Sequence, residues 1–375
     1  MTSEPRPPEL DEQEDSQDEE MPRLRVTRRT LLLGLFFVVT IVAFLYFVVP
    51  QIVGLEDTWQ RLRGGDVWWL VGAFIFTACS FGGYVALFQG VYVRAGSRID
   101  LRASYQITMA GLAATRVFAA GGAGGIALTA WALRRSGMSR RRVADSTVAF
   151  LVLTYFVYML ALVVCGLGLR WGVLSGPHPF AMTVVPAILG VVAIAVFLLM
   201  ALVPTDVERR LRDWACDAGR PRLARIAQRL ATVPAATSAG VREAIGHLRS
   251  RDPALLGSLL FWGFNIAVLW ACFHAFGTPP TWGVLIMGYF VGMLANLLPL
   301  PGGVGGVDGG MIGAFAALDV NLGLATVAVL TYRGFAFWLP TIPGAIAYFQ
   351  LRKTVSRWEE QPEEADVGVA AGVLH

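Results

Sequence analysis

The chain has 375 residues, 55% of them hydrophobic and only 15% charged, where soluble domains carry about 25% charged side chains. Its apolar excess falls in long uncharged runs, which excludes a cytosolic enzyme, a disordered regulator and a secreted disulfide scaffold, and leaves an all-α polytopic membrane protein. The formal charge of +4 is uneven: residues 1–20 hold nine acids against Arg6, and the other 355 residues carry 30 basic against 18 acidic side chains.

Residues 1–20 lack apolar periodicity and read as a disordered acidic cytoplasmic tail. Thr27-Arg28-Arg29-Thr30 resembles a twin-arginine export signal. The run from Leu31 to Val49 is long for a signal core and no small-x-small cleavage site follows it, so it reads as an uncleaved first span. Uninterrupted apolar segments then fall at about 30–49, 67–93, 147–169, 180–203, 254–276 and 322–349. Each reaches the roughly 20 residues needed to cross a 30 Å hydrocarbon core. Two further segments, 105–132 and 281–318, are apolar but broken by glycine clusters. A transmembrane domain over 21–353 and a cytoplasmic tail over 354–375 complete the layout. Between the fourth and fifth spans, 204–253 is basic. There Leu211, Trp214, Leu223, Ile226 and Leu230 recur at helical intervals among arginines, a pattern suited to amphipathic helices on an anionic cytoplasmic leaflet or to a plain positive-inside loop.

Basic side chains set the orientation. Arg94, Arg98 and Arg102 follow the second span, Arg134, Arg135 and Arg140 to Arg142 follow the first broken segment, and Arg352, Lys353 and Arg357 follow the last span. All basic loops fall on the cytoplasmic side, with both termini inside a bacterial inner membrane, if both broken segments are re-entrant hairpins. The first enters from the cytoplasm and the second from outside. A shift of 181 residues places Gly121-Gly122-Ala123-Gly124-Gly125 on Gly302-Gly303-Val304-Gly305-Gly306. The expected architecture is therefore six full spans plus two glycine-rich re-entrant hairpins forming an inverted repeat, a plan common to secondary transporters. Pro299 and Pro301 interrupt the second hairpin and free backbone groups that lipid does not satisfy. Small residues that simply let helices pack are the competing explanation.

Three charges fall at membrane depth: Arg116, Asp308 and Arg333. Each is costly there unless paired or hydrated. If the hairpin tips meet, two arginines and one aspartate face one cavity with excess positive charge, and helix N-termini after the glycine breaks add N–H donors. That set suits a phosphate head group. Asp308 is also placed to pair with Arg116 or Arg333. Asn296 lies near the second break, and Asn265 is expected to bond a neighbouring helix. The four cysteines form no CxxC pair, and no P-loop, HExxH or Ser/His/Asp spacing occurs, so no metal, cofactor, nucleic acid or catalytic residue is assigned.

Asn296-Leu-Leu-Pro-Leu-Pro-Gly-Gly-Val-Gly-Gly-Val-Asp308-Gly-Gly, followed by Leu330-Thr-Tyr-Arg333 and Leu339-Pro340, resembles the signature of the lysylphosphatidylglycerol synthase transmembrane region, also called the flippase-like or UPF0104 family. Gly121 to Gly125 with Leu133-Arg-Arg-Ser-Gly-Met-Ser139 is similar to the family's upstream motif. This chain differs in having Asp308 where the family commonly has Glu, and Ala119-Ala120 where a proline is common. The resemblance implies a lipid-translocating region without the cytoplasmic synthase domain, and hence a separately encoded lipid-modifying enzyme as partner. The expected function is binding and translocation of an anionic phospholipid or lipid-linked phosphate between leaflets, without catalysis. Arg116, Arg333, Tyr332 and Asn296 hold the phosphate, with Asp308 as charge partner. The alternatives are a non-catalytic membrane scaffold and a membrane-embedded lipid transferase.

Overall fold

The computed structural model describes residues 64–93, 98–117, 123–202, 238–249, 253–297 and 305–360. Among them every regular element is helical: α1 (Val67–Tyr92), α2 (Leu101–Val117), α3 (Ala123–Arg135), α4 (Arg140–Arg170), α5 (Phe180–Ala201), α6 (Pro253–Phe276), α7 (Trp282–Met293), α8 (Gly306–Ala317), α9 (Leu322–Arg333) and α10 (Thr341–Glu360). A further helical stretch covers 238–249. Helices suit this sequence because each satisfies its own backbone, which an apolar solvent does not do. Five helical stretches are long and apolar enough to span a membrane: Val67–Tyr92, Arg140–Arg170, Phe180–Ala201, Ala254–Phe276 and Leu322–Trp358. The expected span at 30–49, the acidic tail and the apolar periodicity at 211–230 lie outside the described residues.

Each broken segment is described on both sides of its glycine cluster. The first consists of α2 and α3, and the second of α7, a 3-10 turn (Leu294–Leu297) and α8. Gly121, Gly122, Pro299, Pro301, Gly302 and Gly303 lie outside the description, as do the rest of 118–122 and 298–304. Two boundaries differ from expectation. Helix α4 begins at Arg140, seven residues before the apolar run at 147, so its arginines form the first turn. The last span is not continuous: five residues, Gly334–Trp338, form a π-turn between α9 and α10. Pro340 explains the break, because it has no N–H to donate to the carbonyl of Ala336. Beyond it α10 continues to Glu360, past position 353.

Helices α1 and α6 form the closest pairing, and they run antiparallel. Asp66 N–H donates to Ala275 O (2.9 Å) at one end, Ser80 Oγ donates to Phe261 O (3.1 Å) in the middle, and Gly90 faces Ala254 at the other end. A Cβ on Gly257 would stand 2.5 Å from Leu87 N and 2.8 Å from Gly83 O, both backbone atoms. Backbone contact this close needs small residues. The same device seats α2 on α3, where a Cβ on Gly125 would stand 2.5 Å from Gly111 O, and α7 on α8, where one on Gly292 would stand 2.5 Å from Met311 Cα. By contrast, α5 leaves Ile188, Val192 and Leu199 each more than half exposed, an apolar face that matches lipid.

The contacts also gather the basic helix ends. Arg98 Nη1 donates to Trp358 O, so the start of α2 meets the end of α10 with Arg352, Lys353 and Arg357. Tyr92 OH donates to Thr147 Oγ1, bringing the end of α1 to the arginine-headed start of α4.

Gly257→Leu should therefore overpack the α1–α6 crossing, at a cost of about 1–3 kcal/mol, and lower the thermal unfolding midpoint in detergent. Gly263→Ala on the same helix, where a Cβ meets nothing within 4 Å, should leave the midpoint in place. Equal midpoints for both variants would refute the close crossing.

Candidate charged site at membrane depth

Arg116 lies fifteen residues into α2, roughly 22 Å at 1.5 Å per residue, and Arg333 closes α9. The fold brings both guanidinium groups over the Phe337 ring, with their central carbons 4.9 Å and 4.5 Å from its centroid. Phe337 is buried in the π-turn. A desolvated aromatic face offers a cation about 2 kcal/mol, which offsets part of the cost of burying it.

The π-turn supplies the rest of Arg116's environment. Leu339 N–H donates to Gly334 O (2.9 Å), five residues back, and Pro340 has no N–H, so the carbonyls between them turn outward. Arg116 takes them up: Nη2 donates to Ala336 O (3.0 Å), and Nη1 donates to Phe337 O (2.7 Å) and to Thr341 Oγ1 (3.1 Å). Thr341 in turn donates its hydroxyl to Phe337 O (2.8 Å). All of these partners are neutral, and no carboxylate among the described residues pairs with Arg116.

Arg333 is the residue that takes the acid. Its Nε lies 2.5 Å from Asp308 Oδ1, with side-chain exposures of 12% and 2%. The second carboxylate oxygen accepts the Gly305 N–H (2.8 Å). Gly305 precedes α8 with φ +81°, a conformation that glycine adopts at no steric cost. Asp308 therefore caps α8 and neutralises Arg333 together. Its negative charge in the first turn also suits the helix dipole. The N–H that the sequence left free for an anion at this helix start is thus already taken. Arg333 Nη2 remains buried without a hydrogen-bond partner. The set holds two positive charges and one negative.

The other residues singled out in the sequence lie apart from this cluster in different ways. Tyr332 is buried beside Arg333, but its hydroxyl donates to Asn265 Oδ1 (3.2 Å) and meets Tyr289 OH (3.1 Å). Asn265 bonds neighbouring helices as expected, donating Nδ2 to Ser80 Oγ (2.5 Å). Asn296 is exposed, and its amide faces the Met293 sulfur at 3.7 Å, so it does not join the buried set. Gly124 and Gly125 open α3, and Gly305 and Gly306 open α8. The sequence reading missed Phe337, Thr341 and Tyr289. Pro340 carried the signal for the first two, since a proline inside a span frees a carbonyl that some donor has to find. Nothing local distinguished Tyr289 from a core aromatic.

The profile of the family described as Lysylphosphatidylglycerol synthase TM region matches residues 31–344. Three matches are to proteins named UPF0104 membrane protein from Methanothermobacter thermautotrophicus. One is 36% identical over 91 residues, covering 24% of this chain and 26% of the relative. A second is 33% identical over 116 residues, covering 29% and 35%. A third is 34% identical over 95 residues, covering 24% and 28%. The alignments span about a quarter to a third of the length of those relatives.

Asp308→Asn leaves Arg333 buried without its counter-charge, and removing one partner of such a pair costs about 3–5 kcal/mol. The unfolding midpoint in detergent should fall sharply. Combining it with Arg333→Met should recover part of the loss, because the two positions are coupled. Strict additivity of the two changes would contradict the ion pair.

Proposed function

The chain belongs to the lysylphosphatidylglycerol synthase transmembrane region family, and from that premise we propose that this multi-pass membrane protein binds an anionic phospholipid or lipid-linked phosphate and moves it between leaflets. The observation that carries this reading is the charge balance at membrane depth: Arg116 has neutral partners only, Arg333 has Asp308, and one Arg333 nitrogen is buried unpaired. A buried site with one net positive charge favours a singly charged anion, and a guanidinium presents the forked donors that match phosphate oxygens.

The helix arrangement supports a transporter plan. Shifted by 181 residues, the ranges of α1, α2, α3 and α4 fall on α6, α7, α8 and the α9–α10 stretch. Ser80 bonds Phe261, which is its own equivalent under that shift, and α1 and α6 run antiparallel. Contact between equivalent positions on antiparallel helices is what a pseudo-two-fold axis in the membrane plane produces. We read the two broken segments as re-entrant hairpins of an inverted repeat, with the gathered basic helix ends at the cytoplasmic face. Binding rather than catalysis fits the carboxylate: Asp308 has one oxygen against Arg333 and the other on the Gly305 N–H, so it is poorly placed to act as a general base.

Reconstituted protein should equilibrate a fluorescent anionic phospholipid between the leaflets of proteoliposomes, and Arg116→Ala combined with Arg333→Ala should abolish that movement. Unchanged translocation in a folded double variant would overturn the assignment of the two arginines.

A further inference from the structure

A cavity of about 80 Å³ lies among α1, α2, α3 and α4, bounded by Tyr84, Thr108, Gly111, Gly125, Thr129 and Phe150 among others. That volume suits two or three waters at roughly 30 Å³ each, or a small polyol in their place. Three of its lining hydroxyls, those of Tyr92, Thr115 and Thr147, are hydrogen-bonded, and three are not. Helical threonines here commonly donate to the carbonyl four residues back, as Thr77, Thr115, Thr147, Thr154 and Thr326 do. Thr108 does not. It is 4% exposed, yet its Oγ1 is buried without a partner. The hydroxyls of Tyr84 and Thr129 also make no hydrogen bond among the described residues. Leaving a buried hydroxyl unpaired costs about 1–3 kcal/mol, so Thr108, with the half-buried, partnerless hydroxyls of Tyr84 and Thr129 on the same lining, points to a polar occupant.

The occupant's chemistry follows from what lines the space. No charged side chain borders it, so an ammonium finds no counter-ion in the lining. The hydroxyls each donate and accept, and Tyr84 and Phe150, rings 5.3 Å apart, add flat apolar faces. This lining matches an uncharged, hydroxyl-bearing group. The cavity also adjoins the charged site: Thr115 borders it, and Arg116 is the next residue of α2.

We propose that this chamber receives the uncharged, hydroxylated head group of the lipid whose phosphate sits at Arg116 and Arg333, so that the protein selects polyol-bearing anionic lipids over amine-bearing ones and over bare phosphatidate. The proposal rests on the phosphate reading of the arginine pair and adds the head-group class.

The test uses the full chain in nanodiscs and in vesicles doped with phosphatidylglycerol, phosphatidylinositol, phosphatidylethanolamine or phosphatidic acid, scoring each lipid's binding and transfer. The wild type should prefer the first two over the last two. Thr108→Val and Tyr84→Phe, which keep shape and remove one hydroxyl each, should each reduce that preference roughly three- to tenfold while leaving phosphatidic acid binding in place. Arg116→Ala should weaken all anionic lipids alike. If Arg116→Ala has that uniform effect while the wild type shows no head-group preference, or the hydroxyl variants preserve it, the chamber holds water only and this inference fails while the phosphate reading survives. If Arg116→Ala changes nothing for any lipid, the phosphate reading fails and takes the chamber assignment with it. Tyr84→Phe provides the readout should Thr108→Val not fold.

Discussion

A buried guanidinium needs somewhere to put five N–H donors and a full charge, and the answer this chain uses for Arg116 is a break in another helix. Pro340 removes one donor from the ladder, the backbone widens into the Gly334–Trp338 π-turn, and the carbonyls of Ala336 and Phe337 become acceptors. The same turn holds the Phe337 ring under both guanidinium groups. Two defects that are each expensive in lipid, a free carbonyl and a buried cation, cancel where they meet. The cancellation is electrostatically incomplete, because carbonyls and an aromatic face solvate the cation without neutralising it.

Bringing α2 within reach of the π-turn requires helices packed closer than ordinary side chains permit. Gly344 on α10 faces Met109 O at 2.8 Å from where a Cβ would stand, and Thr354 Oγ1 donates to Gln106 Oε1 (2.8 Å) further along the same pair. In a membrane the hydrophobic effect does little to press one helix on another, so backbone proximity and interhelical hydrogen bonds carry the association. The chain of Ser80, Asn265, Tyr332 and Tyr289 plays this part behind the charged site, joining α1, α6, α9 and α7. It fixes the end of α9, and so the starting point of the Arg333 side chain.

Span positions were legible because apolar length is a coarse physical requirement that few sequences meet by accident. The ranges 67–93 and 254–276 fall within a residue or so of α1 and α6. The three buried charges were legible for the converse reason, since any ion in an apolar run demands an account. Pairing was harder. Asp308 was equally available to Arg116 and Arg333 in sequence, and the choice of Arg333 depends on how α8 meets α9, which no local pattern encodes. Asn296 looked like a cavity residue from its place in the motif and is exposed. The π-turn was hidden because an apolar segment containing Pro340 and Pro343 reads the same whether the helix bends, breaks or widens.

If the proposed function holds, the charge balance also bears on how a head group would cross the bilayer. A phosphodiester carries one negative charge, and the buried set of Arg116, Arg333 and Asp308 carries one positive. With such a group bound the site would be neutral; without it, the neutral carbonyls solvate one uncompensated cation. Rearranging helices around a neutral complex avoids the several kcal/mol that a bare charge costs at the bilayer centre. A second acid beside Arg116 would stabilise the empty protein and remove this difference between loaded and unloaded states. On the proposed function, the lack of a carboxylate beside Arg116 among the described residues would let substrate binding, rather than an internal salt bridge, complete the site.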